Sequence, residues 1–181
     1  MKNKRPILDS TQIDISLHRL ALELHEEHGD FSNTAIIGLQ PRGINLAKSI
    51  HGLLQEISGN EDIKFGELDS TFYRDDFRRG DKVLIPNSIE LPFSIEGMNV
   101  ILVDDVLYTG RSVRSALNAL TDFGRPNRTE LLVLIDRKYN RELPIQPDYT
   151  GEAVDTRTKD RVLVELDGKD PIVWIVTEEK K

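Results

Sequence analysis

One stretch constrains this chain more than any other: Val100-Ile-Leu-Val-Asp-Asp-Val-Leu-Tyr-Thr-Gly-Arg-Ser112. Its four leading apolar residues read as a strand buried on both faces, which requires helices above and below a parallel sheet. Two acids follow at the strand's end, and the turn Thr109-Gly-Arg-Ser112 opens a helix. Consecutive amides at a helix N-terminus make a cradle for an anion. Thr109 and Ser112 add hydroxyls, and Gly110 lets the main chain approach a phosphate and tolerates positive φ. Asp104 and Asp105 can accept charge-assisted hydrogen bonds from vicinal sugar hydroxyls. The residues alone leave three readings open. One is a phosphorylated-sugar site, one is a magnesium or nucleotide site on the same acids, and one is a plain strand–turn–helix connection with solvated carboxylates.

The rest of the chain alternates strand and helix. Ile7-Leu8 reads as a short edge strand. Asp9 and Gln12 have capping-box spacing, Ile13, Leu17, Leu20, Ala21 and Leu24 share a helical face, and Gly29 ends that helix. Thr34–Leu39 is a buried strand, Pro41-Arg-Gly43 a turn, and Leu46 to Ile57 a helix closed by Gly59-Asn60. Ile63–Arg74 reads as a strand opening into Asp75–Leu91, a charged, Gly- and Pro-containing segment with the character of a hairpin or mobile flap. Asn99–Val103 is a strand, Asp104–Arg111 a loop, and Val113 to Phe123 a helix closed by Gly124. Leu131–Ile135 is a further buried strand; the tail offers two more, Arg161–Leu166 and Pro171–Val176. The pattern predicts an α/β fold with a mostly parallel sheet flanked by helices. Ligands of such sheets bind at the carboxyl ends of the strands, so the turns at 40–43, 104–112 and 136–141 are expected to converge.

A length of 181 residues suits one domain with a real core. The sequence contains no cysteine, which excludes disulfides, thiolate catalysis and cysteine zinc sites and fits a reducing cytoplasm. No apolar run has the length of a membrane span, and the basic start Met1-Lys-Asn-Lys-Arg-Pro6 lacks a signal-peptide core. With a net charge of −7, affinity for a polyanion has to come from local amides and arginines, not from the global field.

The 100–112 segment resembles the phosphoribosyl pyrophosphate (PRPP) motif of type I phosphoribosyltransferases. The wider chain resembles the PyrR family, pyrimidine-operon attenuators that are also uracil phosphoribosyltransferases. The resemblance rests on Phe72-Tyr-Arg-Asp-Asp76, Asp105-Val-Leu-Tyr-Thr-Gly-Arg111, Gly124-Arg-Pro126, Arg141-Glu-Leu-Pro-Ile145 and Asp148-Tyr149, in the family's order. It implies a single phosphoribosyltransferase domain over 1–181, with a core at about 5–135, a flap at about 72–91 and a small hood mainly in 136–181. The implied reaction is displacement of pyrophosphate from PRPP by N1 of uracil, giving UMP. The resemblance assigns Asp104 and Asp105 to the ribose hydroxyls. It assigns Val106, Leu107, Tyr108, Thr109, Gly110, Arg111 and Ser112 to the 5′-phosphate, and Pro41, Arg42 and Gly43 to pyrophosphate. Arg74 and its flap would close the site, and the base would be read near Asp136-Arg137 and Val162. Mg2+ would be held mainly by substrate, with Asp104 or Asp105 as protein ligands. Other implied properties are a homodimer or tetramer, a cytoplasmic location and no membrane partner. The four histidines, His18, His25, His28 and His51, lie outside these loops and read as surface or helix-face residues.

Three departures from the family pattern carry expectations. Pro41 stands where Thr is usual, which predicts a cis Gln40–Pro41 bond. Lys138-Tyr-Asn replaces a shorter Gly-His turn beside the expected base pocket. The family's RNA surface maps to His18, Leu22, Glu27, Gln146 and Glu152, where Arg19 remains but basic residues are few, so RNA attenuation is predicted to be weakened or absent. Two alternatives to the uracil enzyme are an RNA attenuator that senses UMP and a transferase for another base.

Overall fold

The computed structural model describes residues 2–69, 91–157 and 159–178. Arg74 and nearly all of the expected flap fall outside these residues. Eight strands and three helices follow one another as β1 (Lys2–Leu8), α1 (Ser10–His28), β2 (Thr34–Leu39), α2 (Gly43–Ser58), β3 (Lys64–Leu68), β4 (Asn99–Leu107), α3 (Arg111–Leu120), β5 (Arg128–Lys138), β6 (Tyr149–Asp155), β7 (Asp160–Glu165) and β8 (Ile172–Glu178) among the described residues. Strands β3-β2-β4-β5-β6 form a sheet in that order, parallel throughout. A second, antiparallel sheet has the order β1-β8-β7.

The central strands are apolar on both faces because both faces are covered. Ile36, Ile101, Val103, Leu132 and Leu134 point to one side and pack with Leu20, Leu24, Leu46, Ile50 and Leu54 of α1 and α2. Ile37, Val100, Leu102, Leu131 and Val133 point to the other and pack with Val113, Ala116 and Leu120 of α3. The first cluster continues into the antiparallel sheet through Leu8, Val162, Val173 and Ile175, so the small sheet is anchored in the same core.

Helix α1 begins as its sequence predicts: Asp9 Oδ1 accepts from the Gln12 amide and Gln12 Oε1 accepts from the Asp9 amide, a complete capping box. Gly59 closes α2 in the left-handed conformation.

Three readings need correction. Strand β4 does not stop at Val103 but runs to Leu107, because β5 is equally long and pairs with it as far as Leu107↔Asp136; the acids lie within a ladder and not in a loop. Residues 149–155, read as irregular tail, form β6 at the edge of the parallel sheet. Tyr-Thr-Gly-Glu-Ala-Val-Asp lacks an apolar run because this edge strand is only partly covered: most of its residues are half-buried and Val154 alone is buried. Asp148 pins its start reciprocally: its Oδ2 accepts from the Leu131 amide and its own amide donates to the Leu131 carbonyl, both at 2.8 Å. The division into core and hood also shifts. The small sheet takes β1 from the N-terminus, and β6 from the tail joins the core.

Candidate active site

The carboxyl ends of β2, β4 and β5 open on one cleft of about 450 Å3, roofed by the start of β7. It is lined by Gln40, Pro41 and Arg42 after β2, Asp104, Asp105, Val106, Tyr108 and Ser112 from β4 and the following turn, Arg137 of β5, and Arg161 and Val162 of β7. Of the three turns expected to converge, those at 40–43 and 104–112 do, while from 136–141 only Arg137 reaches this cleft and Asp136, Lys138, Tyr139 and Arg141 line another. Gln40–Pro41 is cis, as the proline substitution predicts.

Two helices start at this cleft, and neither is capped. Arg42 precedes α2 and Gly110 precedes α3, and neither provides a side-chain cap hydrogen bond. The contrast with α1 is informative: the helix that starts elsewhere has both capping bonds. At α3 the Arg111 amide reaches only the Thr109 hydroxyl, at a long 3.4 Å; weakly partnered first-turn amides and the positive end of the helix dipole favour an anion. The start of α2 is pressed against β4: a Cβ at Gly43 would stand 2.3 Å from the Val103 carbonyl oxygen and 2.9 Å from the Asp104 Cα. Only a residue without a side chain lets these two main chains meet. Gly110 has φ +90°, the left-handed region in which glycine is favoured.

The acids carry the negative side of the site. Asp105 is buried, and its Oδ2 is enclosed without a hydrogen-bond partner among the described residues. Desolvation raises the pKa of both carboxyls. The charge of Asp105 pushes Asp104 further up, well above the ordinary carboxylate value, while Arg42 pulls both down. A buried acid oxygen with no partner requires a hydroxyl donor or a cation. Asp105 has that need in a cleft that also presents two helix N-termini.

Comparison with known proteins gives the same answer. Residues 5–165 match the phosphoribosyl transferase domain family. The chain is 44% identical over 176 residues to "Bifunctional protein PyrR" of Desulfosudis oleivorans, covering 96% of this chain and 97% of that protein. It is 42% identical over 173 residues to the protein of that name in Bacillus subtilis, covering 94% of each. This chain belongs to the PyrR family of phosphoribosyltransferases.

The type I phosphoribosyltransferase fold is seen directly. A hypoxanthine phosphoribosyltransferase from Staphylococcus aureus superposes with a TM-score of 0.64 at 17% identity, over 84% of this chain and 79% of that one.

Within this PyrR-family fold the predicted site residues separate into groups. Asp104, Asp105, Val106, Tyr108, Ser112, Pro41, Arg42, Arg137 and Val162 line the cleft. Gly43 and Gly110 act through main-chain geometry. Leu107 is a core residue, 2% exposed, because it faces α3, so only its main chain is near the turn. Arg111 points out along the surface, with Nε 2.7 Å and Nη2 2.5 Å from Glu142 Oε2. Arg137 is buried in a network that ties the end of β5 to the small sheet. Its Nε donates to Thr156 Oγ1 at 3.0 Å, its Nη2 to the Asp160 carbonyl at 2.9 Å, and its guanidinium stacks 3.9 Å above the Tyr108 ring. Burial lowers its pKa.

Sequence reasoning missed Arg161, which lines the cleft beside Val162, and it quoted Arg141 without assigning it a role. Arg141 donates through Nη1 to the Tyr108 carbonyl at 2.5 Å and through Nη2 to Asp136 Oδ1. No spacing rule places residue 141 under residue 108; the parallel register of β4 and β5 does so.

Proposed function

We propose that this protein transfers the 5-phosphoribosyl group of PRPP to N1 of uracil, forming UMP and pyrophosphate. The observation that carries the reading is the meeting of two uncapped helix N-termini with two buried acids in one cleft. Such a cleft offers separate places for two anionic groups and, between them, acceptors for a polyol.

In this reading Asp104 and Asp105 accept hydrogen bonds from the ribose 2- and 3-hydroxyls and so fix the ring. The amides and hydroxyls of 106–112 receive the 5′-phosphate at the start of α3. The main chain of Pro41–Gly43 and the Arg42 guanidinium receive the pyrophosphate at the start of α2. The nucleophile is a ring nitrogen of the base, so the protein supplies orientation, charge stabilisation and exclusion of water. Positive charge that builds on the sugar as the bond to pyrophosphate breaks is met by the ionised acids. Arg42 and the helix dipole meet the negative charge on the leaving group. Arg137, Arg161 and Val162 face the cleft at the small sheet, where a base with carbonyl acceptors and N–H donors would lie. Arg74 keeps its proposed role in closing the site.

Mg2+ fits the residues present. The partnerless Asp105 Oδ2 and the neighbouring Asp104 form a hard-oxygen pair, too few for a full protein cage, which suits a cation that keeps substrate oxygens and water. When bound with PRPP, the cation would neutralise pyrophosphate as it leaves.

The relatives' name says bifunctional, and the second activity implied by the resemblance is RNA attenuation. Residue chemistry argues that it is weakened or absent here. Arg19 is committed to Glu23 Oε1 at 2.7 Å and to the carbonyls of Thr150 and Gly151 at 3.0 and 2.7 Å. Arg128 is committed to Glu27 at 2.9 Å, and Glu152 adds exposed negative charge. A phosphate backbone would have to break these pairs.

PRPP-dependent turnover with uracil, cytosine, hypoxanthine, guanine and orotate tests the proposal. Uracil is expected to react alone. Turnover of a purine and not of uracil would replace the base assignment, and failure with every base would refute the enzyme.

A further inference from the structure

We infer that Arg141 is a positioning residue for PRPP: together with the segment that follows, it aims the amides of the phosphate turn into the cleft. The inference rests on the transferase reading above but concerns residues on the far side of the turn.

Each residue of 108–111 is held by a partner in 141–145. The Tyr108 carbonyl accepts from Arg141 Nη1 at 2.5 Å. The Thr109 carbonyl accepts from the amides of Glu142 and Leu143 at 3.1 and 3.2 Å. Gly110 lies against Ile145 and Leu143, whose side chains would stand 3.2 and 3.4 Å from an added Cβ. Arg111 is paired with Glu142. A turn of this sort has no ladder of its own, so without these contacts its peptide planes are free to rotate.

The direction of the hold matters. Residues 141–147 line a separate cleft of about 660 Å3 and do not border the one that contains the acids. In a trans peptide the C=O and N–H point to opposite sides. The Tyr108 carbonyl is pulled toward Arg141, so the Thr109 amide points the other way. The Thr109 carbonyl is pulled toward the 142–143 amides, so the Gly110 amide points the other way too. Both donors are thereby turned away from the 141–145 segment, which in this inference is the side of the acids, whose cleft Val106, Tyr108 and Ser112 of the same turn line. The guanidinium suits the task because its planar fork serves two acceptors at once, the Tyr108 carbonyl and Asp136. Asp136 in turn belongs to β5, in register with Leu107, so the fork references the turn to the rigid sheet.

Two variants test this, with binding of PRPP in the presence of Mg2+ measured by calorimetry and unfolding followed by melting. Arg141→Lys keeps a cation beside Asp136 but cannot serve both acceptors. Arg141→Met in an Asp136→Asn background removes the fork without stranding a carboxylate, and is compared with Asp136→Asn alone. Both comparisons are expected to weaken PRPP binding about tenfold. Turnover of uracil at saturating PRPP should fall less than threefold and the melting temperature should change by only a few degrees. A residue with a purely structural role would lower the melting temperature and leave the affinity of the folded fraction intact. PRPP affinity unchanged within twofold in both comparisons overturns the inference and leaves the transferase reading standing. A wild-type protein that does not bind PRPP overturns both.

Discussion

The main-chain amide of Asp105 donates to the side chain of its neighbour, Asp104 Oδ1, at 2.9 Å. The first acid thus spends one oxygen on the second residue's backbone, while Asp105 keeps an enclosed Oδ2 with no partner among the described residues. Adjacent carboxyls of a strand point to opposite faces, so this bond helps to hold both at the rim of one cleft.

Substitution of Asp105 is therefore expected to act on catalysis more than on folding. Asp105→Asn replaces a charged acceptor with a neutral one, and a hydrogen bond to a charged group contributes about 1.5–3 kcal/mol. We expect kcat/KM for PRPP to fall about 10–100-fold with no loss of melting temperature. Steady-state kinetics and a melt of the same preparation check this, and full activity would remove Asp105 from ribose binding.

Asp104 makes a prediction about stability and pH. Its folded-state pKa lies above the ordinary carboxylate value, through burial and the charge of Asp105. The folded protein then binds this proton more tightly than the unfolded chain. The stabilisation from the protonated form is present in full below the ordinary carboxylate range. It is lost as pH rises through the folded pKa. Above the ordinary carboxylate range the burial of this acid therefore opposes folding, so Asp104→Asn should melt higher than wild type without ligand. The rise should be about 2–4 °C for each kcal/mol of repulsion removed. The gain should shrink as pH is lowered toward 4, and the variant should lose activity. A variant that melts lower than wild type at neutral pH would contradict the argument.

Gly43 tests the approach of α2 to β4. Gly43→Ala would put a methyl group 2.3 Å from the Val103 carbonyl. Main-chain atoms of two core elements cannot yield as a flexible side chain can. We expect a loss of about 1–3 kcal/mol, as for overpacking generally, with impaired PRPP turnover because the start of α2 is displaced. Denaturant unfolding and kinetics read both effects.

A buried ionic cluster at the opposite ends of the strands should separate stability from activity. Glu130 lies 2.9 Å from His28 Nε2 and 2.8 Å from Arg128 Nη2, and accepts from the Tyr149 hydroxyl at 3.2 Å. The side chains of His28 and Glu130 are only 3% and 2% exposed. His28 is thus a buried tether between α1 and β5, where its sequence context suggested a surface or helix-face residue. Desolvation followed by the charge of Glu130 raises the Tyr149 pKa, so its hydroxyl stays protonated and donating. Glu130→Ala should cost about 1–3 kcal/mol, the usual result of leaving buried donors such as the Tyr149 hydroxyl without their acceptor. Turnover per folded molecule should be unchanged, as measured by kinetics against active-site concentration.

For RNA, filter binding to a pyrimidine-operon leader at physiological salt should give only non-specific affinity, with a Kd of about 10−4–10−6 M. Tight, sequence-dependent retention would show that the Arg19 and Arg128 pairs open for phosphate.

Much of this molecule was legible in its residues. Thr34–Leu39 and the 100–112 segment announced buried strands because continuous apolar runs can settle only between two covered faces. Asp9 with Gln12 marked the start of α1, and Gly59 the end of α2, because capping chemistry is local. The turn after β4 was readable for the same reason: its glycine, hydroxyls and acids are contiguous in the chain. Tertiary structure alone decided the rest. Strand β6 exists because β5 offers an edge. Asp104 and Asp105 lie in a ladder because β5 is long enough to pair with them. Arg141 reaches Tyr108, and Arg137 ties β5 to the small sheet, only because parallel register brings distant residues together. Local rules act over the few residues that share a turn of helix or a cap. Which strand lies beside which, and how far along, is set by the burial of the whole apolar surface, and a window of sequence does not contain that quantity.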